Sequence, residues 1–190
     1  MNERKYLFVL AGLLFFTLIP SGEVPMAFQE ALNASDAANP QSATRYSPIK
    51  IYSNAELNAF CAGDGTDGTE NNPHVIENYV IDISSEPFSN AIIIQNTNLY
   101  LIIQNCRITA CGYSDEGNHP SIGLWNCSNV AIRNNVIANA YIGIYLESSG
   151  NNVVSNNNCS SNLDKGIYLH SSDNNRITDN NCWNNGIGMT

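Results

Sequence analysis

The sequence is short of charge, and above all of positive charge. Only 8 of its 190 residues are Lys or Arg, against 17 Asp and Glu, and the formal net charge is −9. No basic stripe exists to neutralise phosphates, which argues against nucleic acid as a partner. The sequence holds three His and three Met, scattered along the chain, and no two of its six Cys stand in a CxxC spacing. No zinc motif and no linear copper-binding cluster is therefore present. No apolar run reaches the roughly 20 residues that a membrane-spanning helix needs. Helical periodicity is confined to one short segment at 53–61.

What is abundant is Asn, roughly one residue in six, far above ordinary usage. It is arranged in repeats. A six-residue phrase occurs as IENYVI (76–81), IQNCRI (103–108), IRNNVI (132–137), VSNNNC (154–159) and ITDNNC (177–182), with starts spaced by 27, 29, 22 and 23 residues. A second phrase lies between the copies: IGLWN (122–126), IYLES (144–148) and IYLHS (167–171), with AIIIQN (91–96) as a looser first copy and IGM (187–189) as a shortened last one. Apolar residues alternate with period two inside these short β-branched runs, which is the pattern of strands. A period of about 20–30 residues carrying short strands and no helix points to a solenoid whose coils stack equivalent residues into columns. The columns are Ile76, Ile103, Ile132, Val154 and Ile177; Ile81, Ile108, Ile137, Cys159 and Cys182; and Ile122, Ile144 and Ile167 beside Leu124, Leu146 and Leu169. An Asn column, 78, 105, 134 and 156 with Asp179, suits stacked amides or the left-handed backbone of tight turns. Cys159 and Cys182 fall in one column and read as two buried thiols.

The phrases KGIYLHSSDNNRITDNN and GIYLESSGNNVVSNNN resemble the repeats of NosD-like proteins and of the carbohydrate-binding and sugar-hydrolase β-helices, over residues 75–190. The resemblance implies an all-β fold, a right-handed single-stranded parallel β-helix of about five coils. It leaves function open, because this coil carries lyases, hydrolases, adhesins and accessory proteins alike.

The chain divides accordingly. Residues 1–27 open with MNERK and continue into about fifteen apolar residues, which reads as a signal peptide or N-terminal anchor and hence an exported protein. Any membrane contact would run through this segment. Residues 28–46, rich in Ala, Ser, Asn and Gln, read as a linker. Residues 47–74 are expected to form an N-terminal cap: a strand at 49–51, a helix over 54–61 with Ser53 and Glu56 as its capping box and Leu57 and Phe60 on one face, and a turn-rich loop at 63–73. Residues 75–190 carry the coils, the last of them cut short, and the open edge at 177–190 is expected to favour end-to-end self-association.

Two surfaces are candidate sites. The outward positions of the second phrase bring Trp125, Tyr145, Glu147, Tyr168 and His170 together, with the aromatic rings expected to be exposed for stacking on sugar rings of a polysaccharide or surface glycan. The two long insertions, 84–90 and 109–121, leave from one corner of adjacent coils and would form an acidic rim. In it Asp115, Glu116 and His119 are the candidate ligands for Ca²⁺, the one cofactor considered. The favoured reading is an exported binding module, because no catalytic constellation is visible. The alternatives are a polysaccharide-active enzyme using Asp115, Glu116 and Glu147, and a NosD-like metal-handling accessory protein.

Overall fold

A computed structural model describes residues 5–10 and 13–18 as backbone, and residues 47–86, 89–110 and 119–190 in full. The chain falls into two compact units, 1–43 and 44–190. In the first, β1 (Lys5–Leu10) pairs antiparallel with β2 (Leu13–Leu18). Among the described residues, no helix is long and apolar enough to cross a membrane.

The second unit is a parallel β-helix. Its chain visits three sheets in turn, and each coil contributes one strand to each. The first sheet stacks β4 (His74–Glu77), β7 (Leu101–Gln104), β10 (Val130–Arg133), β13 (Val153–Ser155) and β16 (Arg176–Thr178). The second stacks β5 (Val80–Ile83), β8 (Arg107–Ala110), β11 (Val136–Ala138), β14 (Asn158–Ser160) and β17 (Asn181–Trp183). The third stacks β3 (Ile49–Ile51), β6 (Ile92–Gln95), β9 (Pro120–Trp125), β12 (Ile142–Glu147), β15 (Lys165–His170) and β18 (Ile187–Met189). All of these pairings are parallel, and their registers are those of the sequence columns: Ile103, Ile132, Val154 and Ile177 are successive partners, as are Ile108, Ile137, Cys159 and Cys182. The last coil reaches its third sheet through β18, which pairs in parallel with β15.

Stacking buries the inward residues. Ile76, Ile103, Ile132, Val154, Ile122, Ile144 and Leu146 have no exposed surface. Coverage fades in the last coil, where Ile177 and Cys182 are half-buried and Trp183, Ile187 and Met189 are exposed.

The corners explain the Asn. Asn78, Asn105, Asn134, Asn156 and Asp179 all adopt φ between 54° and 62°, the left-handed region that Asn and Asp tolerate best, so this column turns the chain from first sheet to second. The amide-to-amide bonds run one residue further on. The Asn135 side chain donates to Asn157 Oδ1 at 2.9 Å, and Asn157 donates to Asn180 Oδ1 at 3.0 Å. The same Nδ2 groups also bond the carbonyls of Ile103 and Ile132. Asn135 and Asn157 are buried, and their bonds satisfy corner backbone that strand pairing leaves open. Asn162 donates through Nδ2 to Asn185 Oδ1 at a second corner, and at the third the backbone N–H of Asn152 donates to Asn175 Oδ1.

The cap follows its expected plan with one change. Helix α1 (Asn54–Phe60) is N-capped by Ser53, whose Oγ accepts from Glu56 N at 3.2 Å, while Glu56 Oε2 accepts from Tyr52 N at 2.8 Å. Leu57 is buried completely against the first coil. Phe60, expected to share its face, is 42% exposed and meets only the edge of the core, with its ring 6.5 Å from that of Tyr79. At three residues' separation the two side chains diverge by about 60° around the helix, and this one-sided helix buries a single column. Strand β3 does more than cap: it pairs in register with β6 and so extends the third sheet.

Candidate functional site

The outer face of β9, β12 and β15 assembles the five predicted residues into one cluster. In-register pairing sets Gly123, Tyr145 and Tyr168 in one outward column and Trp125, Glu147 and His170 in the next. Gly123 leaves room that Trp125 fills by folding back along its own strand; a Cβ on Gly123 would lie 2.1 Å from the indole. The indole then meets Tyr145 edge-on, ring centroids 5.5 Å apart, and Tyr145 stacks on Tyr168 at 5.2 Å. Glu147 Oε2 accepts from Trp125 Nε1 at 2.8 Å and from the Tyr145 hydroxyl at 2.9 Å. Its Oε1 stands 4.0 Å from His170 Nδ1, and Lys165 Nζ lies 4.7 Å from the centre of the Tyr168 ring.

The expected exposure of these rings is corrected. Tyr145 is buried, at 1% exposure, and Trp125 and Tyr168 are half-buried. Each ring is covered by the next member of its stack, because strands about 4.8 Å apart bring successive aromatic rings into contact. Alternation along the strand gives the side on which a residue sits, and column neighbours decide whether that side is wet. Glu147, half-buried, and His170, exposed, form the polar edge of the cluster. Beside it the corner turns form a shallow groove lined by Asn96, Asn98, Asn126, Ser128, Ser148 and Asn151.

The acidic rim is only partly described. His119 is half-buried, one residue before β9, while Asp115 and Glu116 lie outside the described residues. Asp82 holds its own turn by accepting from Ser84 N and Oγ. Asp164 pairs with Lys165.

A third group was not anticipated from the sequence. Cys61, at the C-terminal end of α1, Asp64 in the following loop and His74, the first residue of β4, bring one ligand atom each to within 4.8 Å of one another. Cys61 and His74 are buried and Asp64 is exposed. Asp64 Oδ1 accepts from Thr66 N at 2.8 Å and from Thr66 Oγ1 at 2.6 Å, and these bonds hold its carboxyl below the usual range. Burial, then the Asp64 charge, pushes the Cys61 thiol up to about 11. His74 is held at both ring nitrogens, Nδ1 by Thr66 Oγ1 at 2.6 Å and Nε2 by Asn58 Oδ1 at 2.8 Å. Gly68, at φ +71°, lies against the imidazole, and a Cβ there would meet the ring at 2.8 Å. The signal was present as Cys61, Asp64 and His74 in one short segment, but their spacing matches no linear motif.

The column cysteines are thiols. Cys159 and Cys182 are neighbours, as expected, and no disulfide joins them. Contact with the Cys182 thiol, then burial, raises the pKa of Cys159.

A search of curated proteins and of solved structures found no match. A family model does match: NosD, described as a periplasmic copper-binding protein, over residues 67–190. That span covers every coil described above, and the chain belongs to the NosD family.

Proposed function

We propose that the protein is an exported β-helix binding module that contacts carbohydrate through the outer face of its third sheet. The observation that carries this reading is the setting of Trp125. Its ring is seated over Gly123, fixed through Nε1 by Glu147 and half-exposed beside a groove rich in Asn and Ser. Saccharides are bound by this combination, an immobilised aromatic plane for the apolar ring face and nearby amides and carboxylates for the hydroxyls. His170 extends the polar edge and Tyr168 the aromatic one. Export is supported by the family's periplasmic description and by the basic start and apolar run of residues 1–20.

The second reading is a polysaccharide-active enzyme, with Glu147 as acid or base. Glu147 is the acidic residue at the polar edge of the cluster, and its Oε2 already accepts two hydrogen bonds. A glycosidase would place a second carboxyl about 5–9.5 Å away. Asp115 and Glu116, the partners considered for it, lie outside the described residues.

The test is a screen of the full chain against neutral and acidic polysaccharides, with and without Ca²⁺, scored for retention and for new chain ends. The proposal expects retention without new ends, weakened at least tenfold by Trp125→Ala. Turnover abolished by Glu147→Gln would replace the module with the enzyme. Absence of both retention and new ends on every polysaccharide contradicts both readings.

The family description also names copper. Among the described residues, Cys61, Asp64 and His74 are the one group of three such donors able to converge on an ion. Thiolate and imidazole suit copper and zinc alike, so the donor set fits.

A further inference from the structure

We propose that Cys61, Asp64 and His74 form a three-donor site for a late first-row divalent cation of the zinc–copper class, built into the N-terminal cap. Cys61 and Asp64 precede the family-matched span, so the site belongs to this chain's cap and does not come from the coils.

Chemistry and geometry argue for it together. The donors are a sulfur, an imidazole nitrogen and a carboxylate oxygen, the set that late first-row ions take and that Ca²⁺ and Mg²⁺ do not. An ion bound at about 2.0–2.3 Å in tetrahedral geometry holds its donors roughly 3.3–3.8 Å apart. The three atoms here lie within 4.8 Å of one another, so side-chain shifts of about 1 Å would close them on one ion. Two of the donors are fixed. Cys61 ends the helix that Leu57 anchors, and His74 begins a strand paired in register with β7. The third, Asp64, is on a loop and open to solvent, which supplies the entry path.

The hydrogen bonds around His74 point the same way. Asn58 Oδ1 accepts a hydrogen bond from Nε2–H, which leaves the lone pair on Nδ1, facing Thr66. A metal-ligating imidazole is commonly oriented in this way, by an acceptor on its far nitrogen. On the near side one hydroxyl proton of Thr66 serves two acceptors, Nδ1 and Asp64 Oδ1, each at 2.6 Å. Cys61 Sγ lies within 4.8 Å of the same carboxylate. Sulfur, carboxylate oxygen and imidazole nitrogen therefore converge in one small volume, and a cation completes the group. The thiol proton leaves to solvent as the thiolate binds, and the Thr66 hydroxyl then serves Asp64 alone. Three protein donors leave the fourth tetrahedral position for water or for an outside ligand, the pattern of reactive and transfer sites and not of closed structural ones.

The experiment is calorimetric titration of the untagged, reduced, metal-free full chain with Zn²⁺, followed by Co²⁺ with absorption read for a sulfur-to-cobalt charge-transfer band. Expected are one equivalent of Zn²⁺, a cobalt band absent in Cys61→Ser, and affinity at least tenfold weaker in Asp64→Asn. Asp64 is exposed, so its variant folds and keeps the test decisive if Cys61→Ser is lost to misfolding. Cys159→Ser, remote in the second sheet, is expected to change neither signal. The assignment is overturned by absence of saturable binding, by Asp64→Asn binding as tightly as the parent, or by a cobalt band that survives Cys61→Ser.

Discussion

The coils and the cap are built from different kinds of information. In the coils structural decisions are repeated: a left-handed Asn or Asp at the first corner and an Ile or Val facing in are each made five times, and an inward amide beside that corner three times, at Asn135, Asn157 and Asn180. In the cap each decision is made once. Ser53 caps one helix, Leu57 plugs one coil, and Gly68 clears space for one imidazole. Redundancy makes the coils stable and chemically uniform. The cap's single-copy residues can gather a thiol, a carboxylate and an imidazole that a repeating column would have to multiply. The outer face of the third sheet lies between these extremes. Its strands repeat, while Gly123 departs from Tyr145 and Tyr168 at one outward position and Trp125, Glu147 and His170 all differ at another.

The comparison can be broken most sharply in the coils. Ile144→Asp buries an unpaired carboxylate between Ile122 and Ile167 and is expected to cost roughly 4 kcal/mol or more. A chemical-denaturation curve that barely moves would mean the column is not shared. In the cap, Leu57→Ala is expected to cost about 3 kcal/mol by opening a void over the first coil. Its effect on hydrogen exchange is expected to be greatest in β3, β4 and β6; uniform loss along the stack would show that cap and coils unfold as one. At a corner, Asn157→Ala removes the partner of Asn135 and leaves backbone groups unpaired, for about 2 kcal/mol by denaturation. A neutral result would demote the buried amides to bystanders.

Smaller effects are expected at the surfaces. Asp64→Asn, at an exposed position, should leave the denaturation curve little changed while weakening cation affinity at least tenfold, which separates the cap's chemistry from its structural work. In the last coil, Trp183, Ile187 and Met189 are exposed, and association through 177–190 is expected to weaken in a Trp183→Ser variant. Sedimentation at several concentrations would read this, and unchanged behaviour of parent and variant as monomers would remove the expectation.

The fold was legible because columns announce themselves. Ile132, Val154 and Ile177 could be aligned by eye, and the same phase located the corner Asn and the Cys159–Cys182 pair. The membership of the outer cluster was legible for the same reason. Its exposure was not, since the burial of Tyr145 depends on Gly123 letting Trp125 lie down and on Tyr168 stacking above, a matter of side-chain volumes. The amide chain lies one residue beyond the expected column, because a left-handed residue and an inward Asn adjoin at 134–135, 156–157 and 179–180 and sequence does not say which side chain points in. The cap cluster was the least legible. His74 reaches Asn58, sixteen residues back, and only the helix followed by a tight loop brings them together.

The central claim is that the columns are successive coils in one register. Backbone nuclear Overhauser contacts in an isotopically labelled sample test it most directly, along Ile81, Ile108, Ile137, Cys159 and Cys182. The account predicts an unbroken series of cross-strand contacts joining each residue to the next. Contacts that join Ile137 to Asn158 or Ser160 as its direct partner would contradict it, since a one-residue slip turns every inward side chain outward.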